Sequence, residues 1–176
     1  PILAISLAFF ATISSLRPHA ASGQTKSVPS PKRTAVVTRV ITTAGGSQHE
    51  RGGQPYFIRG AGGDGSLKAL AVAGGNSVRT WGADKLDRVL DEAQQNGITV
   101  AVGIWLGHER HGFNYNDADQ VARQTEAVRE TILKYKDHPA VLLWGLGNEM
   151  EGYEKGDNAA IWLAINNLAG MAKRLD

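Results

Sequence analysis

Cysteine is absent from the 176 residues, which excludes disulfides, thiolate metal sites and a cysteine nucleophile. An excess of either charge is missing too. The 19 Lys and Arg against 17 Asp and Glu leave +2, and the basic residues do not cluster, so neither nucleic acid nor an anionic membrane is indicated as partner. Long hydrophobic runs are scarce. The one at the amino terminus, Ile2 to Ile13, is roughly 12 residues long, short of the roughly 20 that a spanning helix needs. The glycine-rich Gly60 to Gly65 is not followed by Gly-Lys-Ser/Thr, so a phosphate-cradling loop lacks its lysine. No cofactor motif is present.

What is there begins with that apolar run. Its length suits the core of a signal peptide, and Ala21-Ser22-Gly23 offers small residues at the cleavage position. The chain starts at Pro1 without Met, and the expectation is a signal peptide over 1–23 whose start is incomplete, with export to the periplasm or outside the cell. A buried or anchoring helix is the alternative, for which the polar stretch that follows provides no partner. Residues 24–34, rich in Ser, Pro and Lys, read as a linker. Residues 35–176 then form a single domain with enough length for a core.

Within that domain, strand and helix patterns alternate. Val36 to Thr43 is β-branched and reads as an entry strand or hairpin, followed by Tyr56 to Gly60 as the first central strand and Gly60 to Gly65 as a turn. Ser66 caps a short helix carrying Leu67, Leu70 and Ala71, ended by Gly74-Gly75. Asn76 to Trp81 is the second strand. Asp84 is placed as the cap of a helix with Leu86, Val89, Leu90 and Ala93 on one face, stopped at Asn96-Gly97. Ile98 to Leu106 is the third strand. Asp117 or Asp119 opens the next helix, with Val121, Val128, Ile132 and Leu133 facing inward, Ala140 onward is the fourth strand, and 157–175 is helical, with Ile161, Ala164, Ile165, Leu168, Met171, Ala172 and Leu175 in one stripe. Such alternation implies a parallel sheet with helical crossovers.

Chemistry concentrates where the fourth strand ends, at Trp144-Gly145-Leu146-Gly147-Asn148-Glu149-Met150. Regular alternation predicts Val141, Leu143, Gly145, Gly147 and Glu149 on one face, with the glycines leaving room for a ligand. The carboxyl group of Glu149 would then lie in apolar surroundings, which favour its protonated form and general acid work. Asn148 adds an amide that donates to a hydroxyl or carboxylate. A strand end that merely caps the next helix is the plain alternative. After the third strand, Gly107-His108-Glu109-Arg110-His111-Gly112-Phe113-Asn114-Tyr115 is polar and aromatic, the mix that stacks on sugar faces and holds hydroxyls. A metal reading lacks the i, i+4 histidine spacing and an evident third ligand, and a solvated loop is the other alternative.

These residues resemble the clan A glycoside hydrolases, with the family 2 barrel domain the best fit. The resemblance rests on Gln54-Pro55-Tyr56-Phe57-Ile58-Arg59-Gly60, Asn76-Ser77-Val78-Arg79-Thr80-Trp81, Asn96-Gly97-Ile98-Thr99-Val100, and His138-Pro139 through Asn148-Glu149. It implies an α/β fold, the (β/α)8 TIM barrel, represented by about its first four β/α units. It also implies that Glu149 is the general acid/base, that Asn148 holds the sugar hydroxyl beside the anomeric carbon, and that Arg79 steadies the nucleophile carboxylate. An ion pair of Arg79 with Asp84 or Glu149 is the alternative. Trp81, His108, Glu109 and Tyr115 become candidate substrate contacts, along with Trp105 and Phe113; no metal or other cofactor is implied, and the partner is an oligo- or polysaccharide.

One element of the pattern is missing. Retention requires a second carboxylate about 5 to 5.5 Å from the first, which in the clan comes from the seventh strand. Glu151 and Glu109 are poor substitutes. The expectation is the amino-terminal half of a longer glycosidase, inactive without its carboxy-terminal half. The alternatives are a non-catalytic carbohydrate-binding half-barrel, or a barrel isomerase or aldolase, for which no strand-end lysine or phosphate loop is found.

Overall fold

Two sheets of different kinds are present in the computed structural model, which describes residues 33–151 and 158–176. The expected signal peptide, and the expected linker except for Arg33 and Thr34, lie outside the described residues.

The first sheet is antiparallel. Strands β1 (Thr38–Thr43) and β2 (Gly46–Arg51) form a hairpin, and β3 (Gln54–Pro55) pairs with β2. The sheet sits against the strand starts of the second one. Arg51 donates to the carbonyl of Pro139, and the Tyr56 hydroxyl donates to that of Asn76 at 2.8 Å.

The second sheet is parallel, in the order β4 (Gly60–Gly62), β5 (Ser77–Arg79), β6 (Thr99–Ile104) and β7 (Val141–Leu146). Helices α1 (Leu67–Val72), α2 (Leu86–Gln95), α3 (Ala118–Tyr135) and α4 (Ala159–Leu175) follow the strands in turn. These are four β/α units of a TIM barrel. Spacing explains the helices: Leu86, Leu90 and Ala93 of α2, Val128 and Ile132 of α3, and Ile161, Ala164, Leu168 and Ala172 of α4 are all buried against the sheet. Leu90 and Ile132 are fully enclosed, so cutting either to Ala costs about 2–5 kcal/mol.

The first central strand differs from expectation. It starts at Gly60, so Tyr56 to Arg59 precede it and part of the glycine-rich segment is strand. The cause is the Asn76 side chain, which accepts from Arg59 N–H at 2.8 Å and donates to the Phe57 carbonyl at 2.9 Å, taking the backbone bonds a neighbouring strand would make. Phe57 is accordingly exposed. The start of α2 also moves. Lys85, in left-handed conformation at φ 55°, holds the cap position without a side-chain bond, so Asp84 is not the cap. The caps on α1 and α3 match expectation: Ser66 accepts from Ala69 N–H, and Asp117 from Asp119 and Gln120 N–H.

Candidate active site

Loops following β5, β6 and β7 converge at the carboxy-terminal end of the parallel strands. The β7 strand stops at Leu146, because Gly147 turns the chain with φ 78° and Glu149 follows at φ 48°. A Cβ at Gly147 would lie 2.7 Å from the Met150 sulfur, so that turn requires glycine and is closed from below by buried Met150. The alternation expected to run on to Glu149 therefore ends early. Glu149 does not sit in an apolar enclosure: 67% of its side chain is accessible, and the Arg110 guanidinium lies 4.0 Å from its carboxylate. Trp144, on the other face, donates to Asp176 at 2.7 Å beside α4.

Arg79 and Asn148 meet directly. The guanidinium donates to Asn148 Oδ1 at 3.0 Å, in place of an ion pair with Asp84 or Glu149. That bond engages the oxygen end of the Asn148 amide and leaves its NH2 end without a protein partner among the described residues. Arg79 also lies over the Trp81 ring, 4.4 Å from the centroid, and Trp81 remains about half exposed.

The third loop supplies a stack of rings. His108 packs between Trp105 and His111, with centroids 4.8 and 5.5 Å apart and planes within 9° and 5°. It is buried, and neither of its ring nitrogens closes a well-formed hydrogen bond with a described residue, although the Asn148 backbone bears on the ring. Burial pushes its pKa below the ordinary value, helped by Arg110 and His111 and opposed by the Asn148 backbone and Glu149, so the ring is neutral near pH 7. The loop is anchored at Gly107, whose N–H donates to Gln124 at 2.6 Å and whose carbonyl accepts from the Tyr115 hydroxyl at 2.7 Å.

Two candidate contacts are reassigned by this geometry. Tyr115 is buried, its phenol raised in pKa by that burial and its hydroxyl committed to Gly107, so it braces the loop. Glu109 accepts from Asn158, the cap of α4, and so ties the loop to that helix. Arg110 and Gln124 escaped the sequence reading. Gln124 left a trace, a polar residue on the inward stripe between Val121 and Val128; Arg110 left none. Among the described residues no group of three or more His, Asp or Glu could hold a metal ion.

Glycosyl hydrolases family 2, TIM barrel domain, is the family whose sequence model matches, over residues 84–176. The chain belongs to that family. A β-glucuronidase of Paenibacillus borealis is 32% identical over 115 residues, 57% of this chain and 18% of that protein. The β-galactosidase BgaA of a Planococcus species is 29% identical over 104 residues, 45% of this chain and 15% of that protein. The chain thus spans less than a fifth of the length of these family 2 relatives. Among solved structures, a β-D-glucuronidase of Dictyoglomus thermophilum superposes with a TM-score of 0.61 at 22% identity, over 80% of this chain and 27% of that one. That likeness shows the shared barrel fold.

Proposed function

We propose that this chain supplies the acid/base half of a retaining glycoside hydrolase acting on β-linked sugars. Glu149 protonates the leaving glycosidic oxygen, then takes a proton from the incoming water; Asn148 donates to the sugar hydroxyl next to the anomeric carbon, a bond that strengthens in the transition state. Arg79 sets the orientation of that amide. The nucleophile carboxylate lies outside the 176 residues, and the chain alone turns over no glycoside. The observation that carries the reading is the 3.0 Å bond from Arg79 to Asn148 at the end of the parallel strands, where barrel enzymes build their sites. Residues 1–23 direct export of the protein, and residues 24–34 tether the barrel.

The test uses the protein with its barrel complete. Glu149→Ala should cut turnover of an aryl glycoside with a poor leaving group by about 10²–10⁴. A dinitrophenyl glycoside, which needs no protonation to depart, should lose far less in its first step, and azide should restore the second by replacing water. An equal loss on both substrates with no azide rescue rules out the acid/base role. A second reading, a sugar-binding barrel without catalysis, draws on the exposure of Glu149 and its Arg110 neighbour. It is favoured if sugar affinity survives Glu149→Gln and the complete protein hydrolyses nothing.

A further inference from the structure

A groove separate from the Glu149 mouth opens between the loop after β4, the end of β5 and the first turns of α2. Its volume is about 470 Å³, within the range of small-ligand sites. Leu67, Val78 and Val89 contribute apolar lining, while Asp64, Asp84, Glu92, Lys85 and Arg88 bring charged groups to it. None of those five charged side chains has a hydrogen bond or ion pair to another described residue. Their donors and acceptors are left for a ligand.

We propose that this groove is a remote saccharide subsite, and that the substrate is a neutral oligosaccharide rather than a simple monosaccharide glycoside; this rests on the reading of Asn148 and Glu149 given above. Charge selects the ligand class. A free anion would meet Asp64, Asp84 and Glu92, and a cation would meet Lys85 and Arg88, whereas hydroxyl groups can donate to the carboxylates and accept from the two cations. Trp81 supplies continuity. It lines the groove and also carries Arg79, which bonds Asn148, so one wall runs from the mouth to the groove. Backbone strain marks the same two places. Lys85 and Glu149 are the non-glycine residues with positive φ among those described, one on the groove and one in the mouth.

The test titrates the protein with its barrel complete, carrying Glu149→Gln so that ligand is not consumed, with neutral β-linked tetrasaccharides of galacto, gluco and manno configuration, each against its methyl monoglycoside. At least one tetrasaccharide should bind about tenfold or more tighter than its monoglycoside. The double variant Asp64→Asn/Arg88→Gln, both at exposed positions, should abolish that gain and leave monoglycoside affinity unchanged. Amide shifts of residues 64, 85 and 88 should move with the tetrasaccharide alone. Equal affinity for the two lengths, or a gain that survives the double variant, overturns the subsite, as does failure of every saccharide to bind. Asn148→Ala separates the two readings. Monoglycoside binding that ignores this substitution counts against the mouth, while a groove-dependent tetrasaccharide gain in the same variant still stands.

Discussion

Asn148 illustrates how one contact gives a side chain a direction. An amide offers a donor end and an acceptor end of nearly equal shape; the Arg79 guanidinium, itself resting on Trp81, engages the acceptor end and leaves the donor end for a ligand. The histidines carry a different message. His108 and His138 are both buried, and burial depresses both pKa values, for His138 against the pull of Asp91 at 3.2 Å. Below the ordinary value of 6.5, the unfolded chain binds protons that the folded one refuses, so stability falls as pH drops from there toward the lower folded values. Melting temperature measured from about pH 7.5 down to about pH 5 should decline, and decline less steeply in His138→Gln. An unchanged slope would place the pH dependence elsewhere. Glu149 and Asn148 stood out in the sequence because they sit just past an apolar β-type run, whereas Arg79, the last residue of β5, was singled out by the family resemblance. The exposure of Glu149 was not legible, since it depends on where the Gly147 turn sends the chain, and alternation cannot foresee a strand that stops at Leu146.

At the level of elements, the segment after β6 is held as a unit. Gly107 is its pivot: a Cβ there would fall 2.1 Å from the Phe113 ring, while both backbone groups of the residue are bound, to Gln124 and to Tyr115. Gly107→Ala should therefore lower stability by about 1–3 kcal/mol in denaturant melts, through overpacking of a site that cannot yield. It should also disturb the ring stack through His108. A wild-type midpoint would mean that Phe113 swings aside. The three long helices were readable from their three- and four-residue steps, since a buried stripe leaves that spacing in any sequence, although Leu133, expected inward on α3, is 38% exposed. The starts of β4 and α2 were not readable. The first was decided by the Asn76 side chain, a partner 17 and 19 residues away, and the second by a left-handed lysine where an acidic cap was expected. Such long-range or strained choices have no periodicity to reveal them.

For the molecule as a whole, the parallel sheet ends in two strands with one neighbour each, β4 and β7, and Leu143 on β7 is 38% exposed. Strand edges of this kind recruit other chains. With a net charge of only +2, little repulsion opposes that pairing. The isolated 176-residue chain should run as dimers or larger species in sedimentation at micromolar concentration; a clean monomer would show that its edges are covered. The antiparallel hairpin raises a separate point, about timing. Arg51 reaches a carbonyl 88 positions further along, at the doorstep of the fourth parallel strand. During synthesis the hairpin segment emerges long before its docking place leaves the ribosome, and an isolated two-stranded hairpin is marginal in water, so until then this stretch stays open to chaperones and proteases.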